Sequence, residues 1–188
     1  MELNNILIYD NTNDSQAVKI QARLQITSFF SGAATMILEL TGSRLVAPFF
    51  GTSLIVWTAL IGIIMTSLCI GNWLGGSLAD RRPEGKLLGR ILLFAAVIIA
   101  LTAFASNFIL TTLHELNLNL YMASVIAAAA IFAPASLLLG MVSPFVARLA
   151  MQNVGSSGAV VGRLSALNSA GSILGTFLGG FVLISLFP

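Results

Sequence analysis

Long apolar stretches, separated by short polar ones, make up most of the chain. Stretches without Asp, Glu, Lys or Arg cover residues 24–38, 45–79, 91–114, 116–147 and 164–188, and Glu115 closes the third of them. A helix needs roughly 20 apolar residues to cross the hydrocarbon core of a bilayer. Four stretches reach that length, and the first does so if Glu39 and Arg44 lie inside or near the membrane. The pattern therefore predicts about five spanning helices.

These helices form a predicted all-α, polytopic transmembrane bundle over residues 24–188, preceded by a polar cytoplasmic tail at 1–23. Pro48 is expected to end the first helix, Pro134 to kink the fourth, and Ser143-Pro144 to break the chain after it. A flexible loop is expected at 153–158, ahead of the fifth helix. The predicted helices cover residues 26–47, 54–79, 88–112, 118–140 and 164–186.

Composition and charge support this layout. Hydrophobic residues make up 57% of the chain and charged residues 9%, whereas soluble domains carry about 25% charged residues. With five spans and a cytoplasmic N-terminus, eight of the nine Lys and Arg residues lie on the cytoplasmic side and only Arg44 lies opposite. This matches the positive-inside rule. We therefore expect a multi-pass protein of the plasma (cell inner) membrane.

Glu39 is the charged residue placed deepest in a predicted span, about 20 Å from its inner end at the helical rise. Charged groups at such depth often mark substrate or proton pathways. Arg44 is five residues away, about 140° around the helix, and helix pairs meet at spacings of three or four. A structural hydrogen bond that fixes the first helix is the alternative role. The depth-matched candidates for a partner on other helices are Thr58, Thr66, Thr102 and Thr176.

Small residues recur at steps of four along two predicted helices. Gly71 and Gly75 lie on the second helix, and Gly171, Gly175 and Gly179 lie on the fifth. Residues at this spacing share one helix face. Because small residues let helix backbones approach in a membrane, both stripes predict close helix packing.

Several kinds of chemistry are not predicted by this sequence. It has no nucleophile motif, P-loop or paired cysteine, and its glycine-rich stretches lie inside helices. His114 is the one histidine, so no metal site is expected. We expect no catalytic residue, cofactor or nucleic-acid partner for this chain.

Three blocks of sequence resemble a known family. They are ILELTGSRLVAPFFGTS at residues 37–53 with Val56-Trp57-Thr58, GNWLGGSLADRRP at 71–83, and residues 162–177 with GRL, ALNSAGS and GTF. Together they resemble the membrane domain of fused major-facilitator/spermidine-synthase-like proteins. In that family, membrane helices precede a cytoplasmic domain similar to polyamine aminopropyltransferases. That domain is absent here, so either a separate protein supplies it or the chain is a fragment.

The resemblance implies a noncatalytic, transporter-like membrane module that anchors or serves an aminopropyltransferase-like partner in the lipid bilayer. Two alternatives remain open: a homodimer that transports a polyamine-like cation, and a subunit that completes a transferase active site.

The stretch at residues 76–81 also resembles the loop after the second helix of major facilitator transporters. There an Asp and basic residues latch neighbouring helix ends, which implies a loop latch of Asp80, Arg81 and Arg82. Pro83 stands where that loop has a second glycine. The alternative is that the basic residues only set the topology.

Overall fold

The protein is a helical bundle. The computed structural model describes residues 2–116, 118–151 and 157–183, with side chains at 18–116, 118–151 and 158–181. The described residues contain no strand, which confirms the all-α prediction. The helices are α1 (Glu2–Phe50), α2 (Leu54–Arg81), α3 (Gly85–Glu115), α4 (Leu120–Ile131), α5 (Ala133–Met151) and α6 (Ser157–Phe177), which continues as a π-helical segment, Leu178–Leu183.

Local sequence sets the turn between α1 and α2. Gly51 has a φ of 75°, a left-handed conformation that glycine adopts easily, and its N–H donates to the Ala47 carbonyl at 2.8 Å. Ser53 then caps α2, its Oγ accepting from the Val56 N–H at 3.4 Å. Pro48 lies inside α1, so the left-handed glycine ends the helix three residues later than predicted.

The fourth predicted helix is divided into α4 and α5. The division falls at Phe132, two residues before Pro134, which has no N–H to donate to the preceding turn. The predicted break at Ser143-Pro144 is wrong, because α5 continues through Pro144 to Met151. After Pro144, the buried residues of this helix are Phe145, Val146, Leu149 and Ala150. This packing outweighs the roughly 3 kcal/mol that a proline costs inside a helix.

The helix bounds also differ near the chain ends. α1 begins at Glu2, so the segment expected to be a polar tail is helical. α6 begins at Ser157, seven residues before the predicted start. The predicted end of the fifth helix at residue 186 and most of the predicted loop at 153–158 lie outside the described residues. The division of the chain at residue 23 therefore stays a prediction.

Three helices in the described part of the chain are long and apolar enough to cross a membrane: α2, α3 and α5. α4 is a shorter apolar helix. α1 carries Glu39 in its apolar part, and α6 is rich in Ser and Gly, so both are less apolar. The protein is thus a membrane-type helical bundle, and the count of five spans stays a prediction.

Two apolar clusters define the ends of the bundle. One cluster is shared by the middle of α1, the end of α2, the start of α3, the end of α5 and the start of α6. Most of the Lys and Arg residues lie near it, and we call this the basic end. The other cluster lies where α1 ends and α2 begins, and we call this the far end. The basic-end cluster includes Leu24, Ala79, Leu88, Leu149, Ala150 and Leu164, and the far-end cluster includes Val46, Val56, Leu60, Leu110, Ile131 and Phe132.

The closest helix pair is α2 with α5, which run in the same direction from the far end to the basic end. A Cβ added to Gly71 would overlap the Leu137 carbonyl oxygen, and one added to Gly75 would lie 2.6 Å from the Met141 Cα. A Cβ at Gly140 of α5 would in turn lie 2.6 Å from the Leu68 carbonyl oxygen. Backbone therefore packs on backbone, as the stripe of small residues on α2 predicts.

The second close pair is α1 with α6, which run together in the opposite sense, away from the basic end. Added Cβ atoms at Gly171 and Gly175 would lie against the carbonyl oxygens of Phe29 and Ala33. A Cβ at Gly32 of α1 would overlap the Asn168 carbonyl oxygen. Gly179 is packed less closely, because an added Cβ there would lie 3.2 Å from the Leu40 Cδ1 and 3.8 Å from the nearest backbone atom, the Ile37 Cα.

These two pairs repeat one contact pattern. Gly171 and Gly175 of α6 lie 100 residues after Gly71 and Gly75 of α2. Their contacts on α1 and α5 are also matched, because Leu137 and Met141 lie 108 residues after Phe29 and Ala33. The first helix of one unit thus packs on the second helix of the other. Because α1 leaves the basic end and α5 approaches it, the two units run in opposite directions. The bundle therefore contains an inverted repeat, α1–α2 and α5–α6, that the sequence analysis missed.

Candidate functional site

A stripe of small and polar residues runs along the inner face of α1. Ser28, Gly32, Thr35 and Glu39 follow at spacings of four, three and four, which place them on one face of a helix. Ser28 and Gly32 are buried, and Thr35 and Glu39 are half-buried. In the sequence Glu39 is a charge within an apolar run, and in the structure it is the last residue of this stripe.

Most hydroxyl groups of the stripe have partners. The Ser28 Oγ donates to the Leu164 carbonyl of α6 at 2.9 Å, and the Thr35 Oγ1 donates to the Ser31 carbonyl at 2.9 Å. The Ser172 Oγ of α6 donates to the Gly32 carbonyl at 3.3 Å. By contrast, the Glu39 Oε1 is buried without a hydrogen-bond partner. An unpaired buried oxygen destabilises a fold, so Glu39 is the residue of this stripe that a ligand or proton would satisfy.

The expected partners of Glu39 do not reach it. Thr66, Thr102 and Thr176 each donate to carbonyls of their own helix, at 2.7, 2.9 and 2.9 Å. Thr58 is exposed near the start of α2. A threonine hydroxyl in a helix is readily satisfied by the preceding turn, which is why matching depth did not predict contact.

Arg44 also lies apart from Glu39. It is exposed and, in the part of the chain that the structure describes, forms no ion pair with Glu39. Instead it lines a cavity of about 170 Å³ at the far end, with Ser43, Trp57 and Leu60. The 140° separation expected from a spacing of five residues explains this arrangement.

A second unpaired oxygen lies at about the depth of Glu39. Gly42 of α1 faces the ring of Phe132, and α1 and α5 run in opposite directions. Glu39, three residues before Gly42, is therefore level with Ser136, four residues after Phe132. The Ser136 side chain is 0% exposed and its Oγ has no partner. Ser136 could not be predicted from the sequence, because serine occurs throughout these helices.

The Asp80 carboxylate joins two helix ends at the basic end. The Arg148 Nε, in the last turn of α5, donates to the Asp80 Oδ1 at 2.9 Å. The Asp80 and Arg148 side chains are 71% and 41% exposed. Arg81 and Arg82 form no ion pair within the described part of the chain, and the Arg82 backbone N–H closes α2 by donating to Leu78 at 2.9 Å. The partner of Asp80 is thus Arg148, which the sequence analysis missed.

Removing the Asp80 ion pair is expected to have a small effect on stability. Exposed pairs contribute about 0.2–1 kcal/mol, so Asp80→Asn and Arg148→Gln should each lower the unfolding free energy by no more than that. The double variant should lose no more than either single variant, because both remove the same contact. Thermal unfolding of the purified wild-type protein, the two single variants and the double variant measures the coupling between Asp80 and Arg148. Additive losses would contradict a direct Asp80–Arg148 contact.

Part of the chain is similar to a bacterial membrane protein. Over 50 residues it is 42% identical to the inner membrane transport protein YdhP of Escherichia coli strain K12, and the protein of that name from Escherichia coli O157:H7 gives the same values. The match covers 27% of this chain and 13% of the relative. No protein-family model matches the chain, and no solved structure does.

Neither named relative is described as spermidine-synthase-like. The resemblance to that family, and the polyamine chemistry it implies, therefore stay expectations. The apolar helices of the structure and the partial similarity to an inner membrane protein together indicate a membrane protein.

Proposed function

We propose that this chain is a helical bundle of a membrane transporter. The observation that carries the proposal is the inverted repeat of α1–α2 and α5–α6, seen in the matching contacts of the pairs α1–α6 and α2–α5. Transporter folds are commonly built from inverted repeats that rock against each other around a site near the bilayer midplane. The 42% identity to an inner membrane transport protein over 50 residues supports the same class.

The transported molecule in this proposal is a small polar or cationic metabolite, and a polyamine-like cation is the specific candidate. Glu39 supplies the group that binds it or carries a proton, because its Oε1 is buried and unpaired. Ser136, at about the same depth, supplies a neutral hydroxyl from α5. No cationic side chain of the described residues pairs with Glu39, so the carboxyl is available to a cationic ligand.

The protein lies in the plasma membrane with five spans and a cytoplasmic N-terminus, which places the basic end inside. A homodimer or a partner chain completes the transport pathway. The Asp80–Arg148 ion pair serves as a latch, since it links the inner ends of α2 and α5 and would have to open if those ends separate.

Flux measurements in liposomes test the proposal. We expect the reconstituted protein to take up labelled spermidine, and Glu39→Gln to lower that flux by about tenfold or more, because the amide cannot carry the charge or the proton. Glu84→Gln is the matched control, since Glu84 is an exposed carboxylate at the N-cap of α3. Equal flux through Glu39→Gln and wild-type protein would contradict the role of Glu39.

Co-purification separates transport from the anchoring role that the family resemblance implies. A protein that carries no spermidine but retains an aminopropyltransferase-like protein through purification would be a noncatalytic anchor or a subunit of a transferase. A stable homodimer with spermidine flux supports transport instead.

A further inference from the structure

The basic end of the bundle carries a large excess of positive charge. The Lys and Arg side chains at this end are Lys19, Arg23, Arg81, Arg82, Lys86, Arg90, Arg148 and Arg163, and the described acidic side chains there are Asp80 and Glu84. Only Arg148 is engaged in an ion pair among these described residues, with Asp80. This end therefore attracts anions, and in a membrane the nearest anions are lipid headgroups.

A cavity of about 600 Å³ opens beside this charge, between the middle of α1 and the start of α3. Its walls are largely apolar, with Leu24 from α1, Leu92 from α3 and Leu149 from α5. Gly85 and Gly89 line the α3 side, and an added Cβ at either position would meet nothing within 4 Å. The two glycines thus keep this wall open, and close helix packing does not require them.

Arg23 is the charged residue among those that line the cavity. Its side chain is exposed and forms no ion pair within the described part of the chain. A guanidinium group binds phosphate through two parallel N–H donors. The cavity therefore has an unpaired phosphate-binding group, Arg23, at its rim, and its walls are apolar. A small soluble anion would leave the apolar part of the cavity unfilled.

We propose that the cleft between α1 and α3 binds an anionic phospholipid, with Arg23 on the phosphate and the apolar walls around the acyl chains. The headgroup lies at the basic end, where the free cations complement its charge. The lipid fills the space next to Leu149, and so contacts α5 as well as α1 and α3. The inference depends on membrane insertion and is independent of the proposed transport.

Lipid retention by the whole purified chain tests the proposal. The probes are phosphatidylglycerol and phosphatidylcholine. The protein is placed in nanodiscs that contain both lipids, and native mass spectrometry measures how much of each it retains on release. We expect retained phosphatidylglycerol to exceed phosphatidylcholine and to fall about fivefold in Arg23→Gln. Arg90→Gln is the matched control, because Arg90 is an exposed cation on α3 that does not line the cavity. It should retain the wild-type amount.

A second variant fills the cavity without changing charge. Gly89→Leu should lower phosphatidylglycerol retention, whereas Gly62→Leu, at an open position of α2, should not. Circular dichroism checks that each variant is folded. Equal losses in Arg23→Gln and Arg90→Gln would show diffuse surface attraction and overturn the site. Displacement of the lipid by millimolar inorganic phosphate would overturn the assignment to a phospholipid.

Discussion

Gly71→Ala is expected to separate α2 from α5 and to lower the free energy of unfolding by about 1–3 kcal/mol. The added methyl group would overlap the Leu137 carbonyl oxygen, and a backbone oxygen cannot rotate away as a side chain can. The helices must therefore move apart, and their other close contacts weaken with them. Thermal unfolding in detergent, followed by circular dichroism, measures the loss.

Gly62→Ala is the matched control for this substitution, on the same helix. An added Cβ at Gly62 meets nothing within 4 Å, so we expect no loss of stability there. The inverted repeat predicts the same effect at the matching glycine of α6. Gly171 packs on the Phe29 carbonyl as Gly71 packs on Leu137, so Gly171→Ala should cost a similar amount, whereas Gly162→Ala, at an open position, should not. Equal melting of Gly71→Ala and Gly62→Ala would contradict the close pairing.

Glu39→Met is expected to stabilise the protein, by about 1–3 kcal/mol, because it removes a buried oxygen that lacks a partner. Methionine has a similar length and fills the site without a polar group. The same substitution should abolish the proposed transport, so stability and activity would change in opposite directions. Such opposition is typical of groups kept for function at a cost in stability.

Two further variants show whether the missing partner is the cause. Glu39→Gln keeps an unpaired polar group and should gain less stability than Glu39→Met. Ser136→Ala removes the other unpaired oxygen and should not destabilise the protein, although the serine is fully buried. A loss of more than about 1 kcal/mol in Glu39→Met would mean that the carboxyl has a stabilising partner.

Much of the fold could be predicted from local features of the sequence. The helices exist where apolar stretches predict them, and Ser53 and Asn119 cap α2 and α4 as their residue types favour. The division at Phe132 and the continuation through Pro144 were not predictable in the same way. A proline ends a helix or lies within it according to how strongly the following turns are packed, and Phe145 is buried by other helices.

The candidate site was predictable only in part. Glu39 stands out because a charge inside an apolar run is rare. Its surroundings could not be derived, since threonines at matching depth bond within their own helices. Arg148 lies 68 residues from Asp80, and only the parallel pairing of α2 and α5 brings them together.

The sequence alone determined that this protein is a bundle of apolar helices with its positive charge at one end, because apolar length and charge distribution are properties of each segment by itself. It also marked Gly71, Gly75, Gly171 and Gly175 as places of close approach. Only the tertiary structure decided which helices approach which. A stripe of small residues is compatible with any neighbouring backbone, and the choice depends on how all the helices pack together. That packing produced the inverted repeat and left the Glu39 Oε1 buried without a partner.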